Sequence, residues 1–285
     1  MSSLFAAFCL AATVVGTWNG NWFPSGRAEH RANPHIEDAT ITATAQMLRR
    51  GLDAVDPAGT NDVILCLHEM RGPRVVSNLV ERIGRKGLRV ASVSGYRRRD
   101  RFDMQQDAIA TTLPVVASGW RNWSAHGRET PPRGFAFAFI VTDPAVTTRV
   151  YAVHLKSNYG ATTPEIVALN RAKRTHAVRE MLKDAGADPV IVAGDFNADK
   201  WRKEFAKERI FVLFEEAGCL DLLGLLPPDR RGTYPHKRYG DSSLDYIMVR
   251  GFESLGEPRI FPSEDLSDHC AFYGIIQGNL ERNRQ

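Results

Sequence analysis

Short apolar runs that close on a polar residue recur along this chain. Val190 to Ala193 has no polar position, the pattern of a strand covered on both faces, and Gly194 lets the backbone turn before Asp195 and Asn197. Asp62 to Leu67 reads the same way and runs into His68 and Glu69. Ala11 to Trp18 leads to Asn19, Val150 to Leu155 carries His154, Leu244 to Val249 carries Asp245, and Cys270 to Ile275 follows Asp268 and His269. Leu88 to Val93, Ala108 to Val116 and Phe135 to Val141 complete the predicted strands.

The 3.6-residue period appears in four places. Glu37 to Val55 sets Ile41, Ala45, Leu48 and Leu52 on one face, with acidic residues leading and Arg49 and Arg50 following, as the helix dipole favours. Pro73 to Arg85 starts on proline, turns Val76, Leu79, Val80 and Ile83 inward, and meets Gly84 and Gly87 at its end. Pro164 to Ala185 is the longest predicted helix, although Ile166, Leu169, Ala172, His176 and Met181 or Leu182 trace its buried side only loosely. Trp201 to Ala217 is predicted as one more helix. The polar stretch Asn19 to Pro34, with Gly20, Pro24 and Gly26, is predicted as a loop.

An apolar strand that emits a polar side chain at its end is how a rigid sheet positions a reactive group. The pattern therefore selects Asn19, Glu69, His154, Asp195 with Asn197, Asp245, and Asp268 with His269. Each taken singly is also an ordinary turn former. Asp195 and Asn197 project to one side if the strand persists through them, and form a local turn if it does not.

Composition adds limits. The 285 residues are 43% hydrophobic and 25% charged, enough apolar material for a large core, and the net charge of +4 permits an anionic substrate without demanding one. The cysteines, Cys9, Cys66, Cys219 and Cys270, are scattered without a CxxC pair, which favours buried free thiols over zinc, redox chemistry or a disulfide framework. No apolar run reaches the ~18 residues of a membrane-spanning helix. Leu4 to Val15 has the length and small residues of a signal-peptide core but no preceding Lys or Arg. Residues 1–12 are thus a signal peptide or a leading segment, and 13–285 are expected to form a single domain. A cleaved signal implies a secreted or periplasmic protein, and its absence a cytoplasmic one.

Six blocks in order carry a resemblance: TWNGN (Thr17 to Asn21), LHE (Leu67 to Glu69), VHLKSN (Val153 to Asn158), AGDFNAD (Ala193 to Asp199), LDYIMV (Leu244 to Val249) and SDH (Ser267 to His269). Together they resemble the endonuclease/exonuclease/phosphatase superfamily of metal-dependent phosphoesterases. The resemblance implies an α/β fold, a four-layer α/β/β/α sandwich with two mainly antiparallel central sheets flanked by helices. It implies Mg²⁺, with Mn²⁺ as a substitute, held by Glu69 with Asn19 beside it and Asp268 facing the metal region. Asp195 would align or deprotonate the attacking water, Asn197 would donate to the phosphate, and His154 would contact the phosphate or assist the leaving group. His269 would be the second catalytic histidine, its ring oriented by Asp245. Which histidine performs which task stays open.

A phosphate ester is anionic and repels hydroxide, so such a site must supply positive charge and an aligned nucleophile. The expected function is a Mg²⁺-dependent phosphodiesterase, a nuclease acting on DNA; the alternative is a phosphoesterase for a lipid or small phosphorylated molecule, sphingomyelinase-like or inositol-phosphate-like. The expected partner is a nucleic-acid substrate, with no stable membrane insertion and a monomeric state. His68 stands where Gln is commoner in the second block, and alternation turns it away from Glu69, so a packing role is expected. His154 is a departure from the apurinic-site endonucleases and agrees with the deoxyribonuclease-like, sphingomyelinase-like and bacterial extracellular nuclease branches. The Arg97 to Arg101 cluster, Trp120, Trp123 and the segment Tyr234 to Arg238 are candidate substrate contacts or plain surface, while His30, His35 and His126 read as solvated loop residues.

Overall fold

The computed structural model describes residues 12–26, 34–98, 101–143, 146–236 and 240–278. Most of the candidate signal segment, with Cys9, His30, Arg99, Asp100, Lys237 and Arg238, lies outside the described residues. In chain order the elements are β1 (Thr13–Phe23), α1 (Pro34–Val55), β2 (Asp62–Met70), α2 (Pro73–Ile83), β3 (Arg89–Val93), β4 (Arg97–Arg98), β5 (Arg101–Phe102), β6 (Gln106–Thr111), β7 (Val115–Asn122), β8 (Gly134–Asp143) and β9 (Val146–His154). There follow α3 (Pro164–Ala185), β10 (Val190–Asp195), α4 (Ile210–Glu216), β11 (Leu220–Asp221), β12 (Asp245–Arg250), β13 (Phe252–Ser254), β14 (Arg259–Phe261) and β15 (Ala271–Gly278).

Two central sheets result. One runs β13-β15-β1-β2-β6-β3, with β14 also on β15, and the other runs β11-β12-β10-β9-β8-β7. Neighbours are antiparallel except for one parallel pair in each sheet, β1 with β2 and β9 with β10. A helix spans each parallel crossover, α1 in the first and α3 in the second, because two parallel strands cannot be joined by a hairpin.

Alternation along β1 and β2 builds the layers. Val14, Trp18, Val63, Leu65 and Leu67 face outward, onto Ile41, Leu48 and Leu52 of α1 and Val76 and Leu79 of α2. Val15, Ile64 and Cys66 face inward, where they join Ala136, Ala138, Val150 and Ile191 of the second sheet. That sheet's other face is covered by Ala177, Val178 and Met181 of α3 and by Ile210 and Phe214 of α4. Each such fully buried side chain stabilises the fold by about 1.5–3 kcal/mol. The helix, sheet, sheet, helix order is the four-layer sandwich that the resemblance implies.

Several boundaries differ from the sequence reading. β1 continues to Phe23 instead of yielding to a loop at Asn19, because its pairing with β2 resumes at Phe23 and Met70 after a register shift. Ala108 to Val116 is two strands in different sheets, divided where Pro114 interrupts the ladder. Trp201 to Ala217 is not one helix: a 3₁₀ turn at Lys203–Phe205 precedes α4. The arginine cluster forms part of the β4 and β5 pair instead of an irregular loop. Cys66 and Cys270 are buried free thiols, and Cys219, also free, is half-buried. No described helix is long and apolar enough to cross a membrane.

Candidate active site

Three adjacent strands of the second sheet end together. Asp195, the last residue of β10, is paired in register with His154 at the end of β9 and with Asp245 at the start of β12. This alignment needs Gly194, where a Cβ would stand 1.9 Å from the Val153 carbonyl oxygen. The facing sheet contributes Asn19 and Glu69 from β1 and β2.

Strict alternation would turn Glu69 outward, since His68 points inward. Glu69 instead takes a left-handed φ of 58° at the register shift, which brings its carboxylate into the site. Oε2 accepts from the Trp22 amide at 3.1 Å and Oε1 from Asn19 Nδ2 at 3.4 Å. Four of the five described non-glycine residues with positive φ, Asn21, Trp22, Glu69 and Asn197, adjoin this site. Such conformations cost roughly 1–3 kcal/mol each and persist where the surroundings enforce them.

One oxygen joins the two sheets. Asp195 Oδ2 accepts from Asn19 Nδ2 at 3.0 Å and lies 3.6 Å from His154 Nε2 and 3.8 Å from His269 Nε2. His154 Nε2 is also 3.7 Å from Glu69 Oε1. His269 Nδ1 meets Asp245 Oδ2 at 2.8 Å, which fixes the ring, and Tyr234 packs on it with ring centroids 4.8 Å apart. Ser267 donates to the Asn19 carbonyl at 2.6 Å and accepts from the His269 amide at 3.1 Å, tying β1 to the segment before β15.

The strand does not persist past Asp195. Asn197 has a left-handed φ, its amide donates to Asp195 Oδ1 at 2.8 Å, and its side chain donates to the Leu155 carbonyl at 3.1 Å. Asn197 thus braces Asp195. Asp268 is exposed and sits toward Tyr234 and His269; it does not join the Asn19, Glu69 and Asp195 contacts. His68 is fully buried, between Asp107 at 2.9 Å and Thr17 at 3.1 Å, the packing role expected for it. Of the two tryptophans, Trp123 is buried on Phe135, while Trp120 is partly exposed and packs edge-on against Tyr96.

The charges are arranged with contrast. Burial pushes the Asp195 carboxyl up; His269 pulls it back, Asp245 and Glu69 add to the rise, and it stands at about 7. For His269, burial opposes the charge, but the carboxylates of Asp245, Asp195 and Asp268 outweigh it and raise the ring to about 10. His154 goes the other way: burial, with Arg133 and the other histidines nearby, holds it well below the usual imidazole range. Its Nδ1 is buried without a hydrogen-bond partner, as is Asp245 Oδ1. Arg133 and Lys156 escaped the sequence reading; Arg133 lies in a polar loop with no motif, and Lys156 is inside the VHLKSN block.

The donors beside Asn19 are carboxylate oxygens, which suit a hard divalent cation. Among the described residues no three His, Cys, Asp or Glu side chains form a ready-made cage. Such a set fits Mg²⁺, which is usually held by one or two carboxylates and completes its shell with water and substrate oxygens. Glu69, with Asn19 beside it, is the group placed to hold it, and the crowding of Glu69 and Asp195 in a buried site is what an added cation would relieve.

A family model described as Endonuclease/Exonuclease/phosphatase family matches residues 16–269. Solved structures with a similar fold include an endonuclease/exonuclease/phosphatase from Beutenbergia cavernae DSM 12333, 15% identical with a TM-score of 0.64, over 94% of this chain and 72% of that one. A humanized D. rerio TDP2 is 18% identical with a TM-score of 0.61, over 93% of this chain and 99% of that one. SmcL is 14% identical with a TM-score of 0.55, over 93% and 98% respectively. No curated protein matches the sequence.

Proposed function

The chain belongs to the endonuclease/exonuclease/phosphatase family, hydrolases of phosphoester bonds, and from that premise we propose that it is a Mg²⁺-dependent nuclease that cleaves phosphodiesters in DNA. The observation that carries the reading is the convergence of Asn19, His154 and His269 on Asp195 Oδ2. In this reading Asp195 orients a water and takes its proton as the oxygen attacks phosphorus. His269, charged and held by Asp245, faces the phosphoryl oxygens and gives its proton to the departing alkoxide. His154, neutral, hydrogen-bonds the phosphate, and Asn197 keeps Asp195 aimed. The divalent ion, when bound beside Glu69, supplies Lewis-acid stabilisation of the phosphoryl charge.

Two groups in one site whose environments push their proton affinities apart take different roles, and here His269 is held charged to give a proton while His154 is held neutral to donate a hydrogen bond. The net charge of +4 and the cationic Arg133 and Lys156 near His154 support an anionic polymer as substrate.

The test is incubation with plasmid DNA, RNA, sphingomyelin and a phosphomonoester panel, with Mg²⁺ and then with a chelator. Chelator-sensitive DNA cleavage is expected. Turnover of sphingomyelin or a small phosphate ester in place of DNA would move the protein to the lipid and small-molecule reading, and no metal-dependent turnover at all would end the enzyme reading.

A further inference from the structure

The loose amphipathicity of α3 has a structural counterpart. Ala168, Arg171, Ala172, Thr175, His176 and Arg179 recur at three- and four-residue spacing and line one wall of a cavity of about 290 Å³. The opposite wall is the segment after β7, with His126 and Glu129. Ala168 and Arg171 also line a second, open depression of about 610 Å³ that reaches Thr163 at the start of α3 and Lys207 in the segment before α4. The two depressions adjoin along α3 at Ala168 and Arg171, and together they form a groove with Arg179 in one half and Lys207 in the other.

Three observations point to an anion. Arg171 Nε is buried without a hydrogen bond, and its nearest carboxylate, Glu208, 3.8 Å away, already accepts Nε of Arg174 at 3.2 Å and a second Arg174 nitrogen. One carboxylate between two guanidinium groups leaves a positive charge over. Arg179 and Lys207 make no ion pair among the described residues; Glu129, on the opposite wall, lies 3.4 Å from His126 Nε2. His126 and His176 stack face to face, centroids 5.0 Å apart and planes 10° apart, with Glu180 holding His176 at 3.3 Å; Glu165 is the other carboxylate lining the groove. With two guanidinium groups and no convergent acid cluster, the lining is wrong for a metal ion and right for phosphoryl oxygens, which arginine binds in a fork.

Both walls also start at the catalytic rim. β7 ends at Asn122, paired with Gly134 at the rim end of β8, and α3 follows the segment that leaves β9 at His154. Arg171 and Arg179, eight residues apart, are separated by about 12 Å along the helix axis. That spans a few nucleotides of a strand whose phosphates advance ~3.4 Å each along a B-form axis.

We propose that the groove along α3 is a second phosphate-binding site, which holds the sugar-phosphate backbone of the nucleic acid beyond the cleaved bond. This rests on the nuclease reading. The groove makes no contact with the reacting atoms; it lengthens the footprint on the substrate.

The test is Arg171→Gln/Arg179→Gln, with Arg50→Gln in α1 and Lys86→Gln in the turn after α2 as the charge-matched control, both checked by circular dichroism. DNA binding is measured across salt concentrations, and cleavage of DNA is compared with that of bis(p-nitrophenyl) phosphate. The groove variant is expected to reduce the slope of log K against log salt by about 1.4–1.8, the release expected for two phosphates. It should raise KM for DNA severalfold and leave kcat for the small diester unchanged. An unchanged slope, or an equal loss in the control, overturns the proposal while DNA cleavage by the wild type keeps the nuclease reading intact. If inorganic phosphate shifts the His126 and His176 NMR signals in the wild type only, and the DNA slope is the same in both, the groove takes free phosphate and the strand assignment fails. A wild type that neither binds nor cuts DNA removes the nuclease reading and this inference with it.

Discussion

At the scale of single residues, the site is a set of side chains that are individually unremarkable in sequence and become specific through one shared atom. Asp195 Oδ2 faces nitrogens from three other segments, so truncating Asp195 removes the proposed base and the group that unites both sheets. Asp195→Ala and His269→Ala are each expected to lower kcat by about 10²–10⁴, the usual range for a general acid or base, with near-wild-type circular dichroism. Rates within a few fold of wild type in either variant would overturn the assigned roles. Asp245→Asn should cost at least tenfold in kcat with KM little changed, because the amide no longer favours the charged ring or its orientation at 2.8 Å. The sequence blocks named these residues, yet they did not reveal that Asn197 braces Asp195 or by what backbone turn Glu69 enters the site. Both depend on left-handed backbone conformations at residues other than glycine, which no apolar or polar pattern encodes.

At the scale of elements, long buried strands were legible in the sequence because a run such as Val190 to Ala193 has no competing reading. Short elements were not. β11, β13 and β14 have two or three residues each and gain their geometry from neighbours already in place. α3 was found at its true bounds, although its buried face is irregular because it includes Arg174, fully buried between Glu208 and the Lys156 carbonyl. Arg174 ties the segment after His154 to the start of α4. Arg174→Met leaves Glu208 with only the more distant Arg171, and a broken buried pair costs about 3–5 kcal/mol. Thermal unfolding should show a fall in Tm of at least several degrees; a change under about 2 °C would mean the pair is dispensable. On β11, burial raises Asp221 above the usual carboxylate range, against the pull of Lys200. A group with a raised folded pKa contributes most below its unfolded value, near 3.8, and loses that contribution as pH rises through the folded value. Asp221→Asn, which keeps an acceptor for the Gly224 amide, should therefore gain on the wild type between pH 4.5 and pH 7.5 in urea midpoints, and a gap that narrows with rising pH would contradict this.

At the scale of the whole molecule, two sheets that share one buried core also share one charged rim, and the rim opposes the fold. Glu69 and Asp195 arrive from opposite sheets and meet across Asn19, with Asp245 close behind, so folding gathers acids that the unfolded chain keeps apart in water. A cation that binds only the folded state returns this cost by mass action, about 2.7 kcal/mol when its concentration is a hundred times Kd. For a chain of this size that is a rise in Tm of about 5–10 °C. The wild type should show such a rise with Mg²⁺, reversed by a chelator. Glu69→Gln keeps the shape of the side chain and removes one of the crowded charges, so its metal-free Tm should equal or exceed that of the wild type while its response to Mg²⁺ is lost. A full Mg²⁺ shift in Glu69→Gln would place the ion elsewhere, and a wild-type Tm indifferent to Mg²⁺ at tens of millimolar would leave the crowding of Glu69 and Asp195 without its cation.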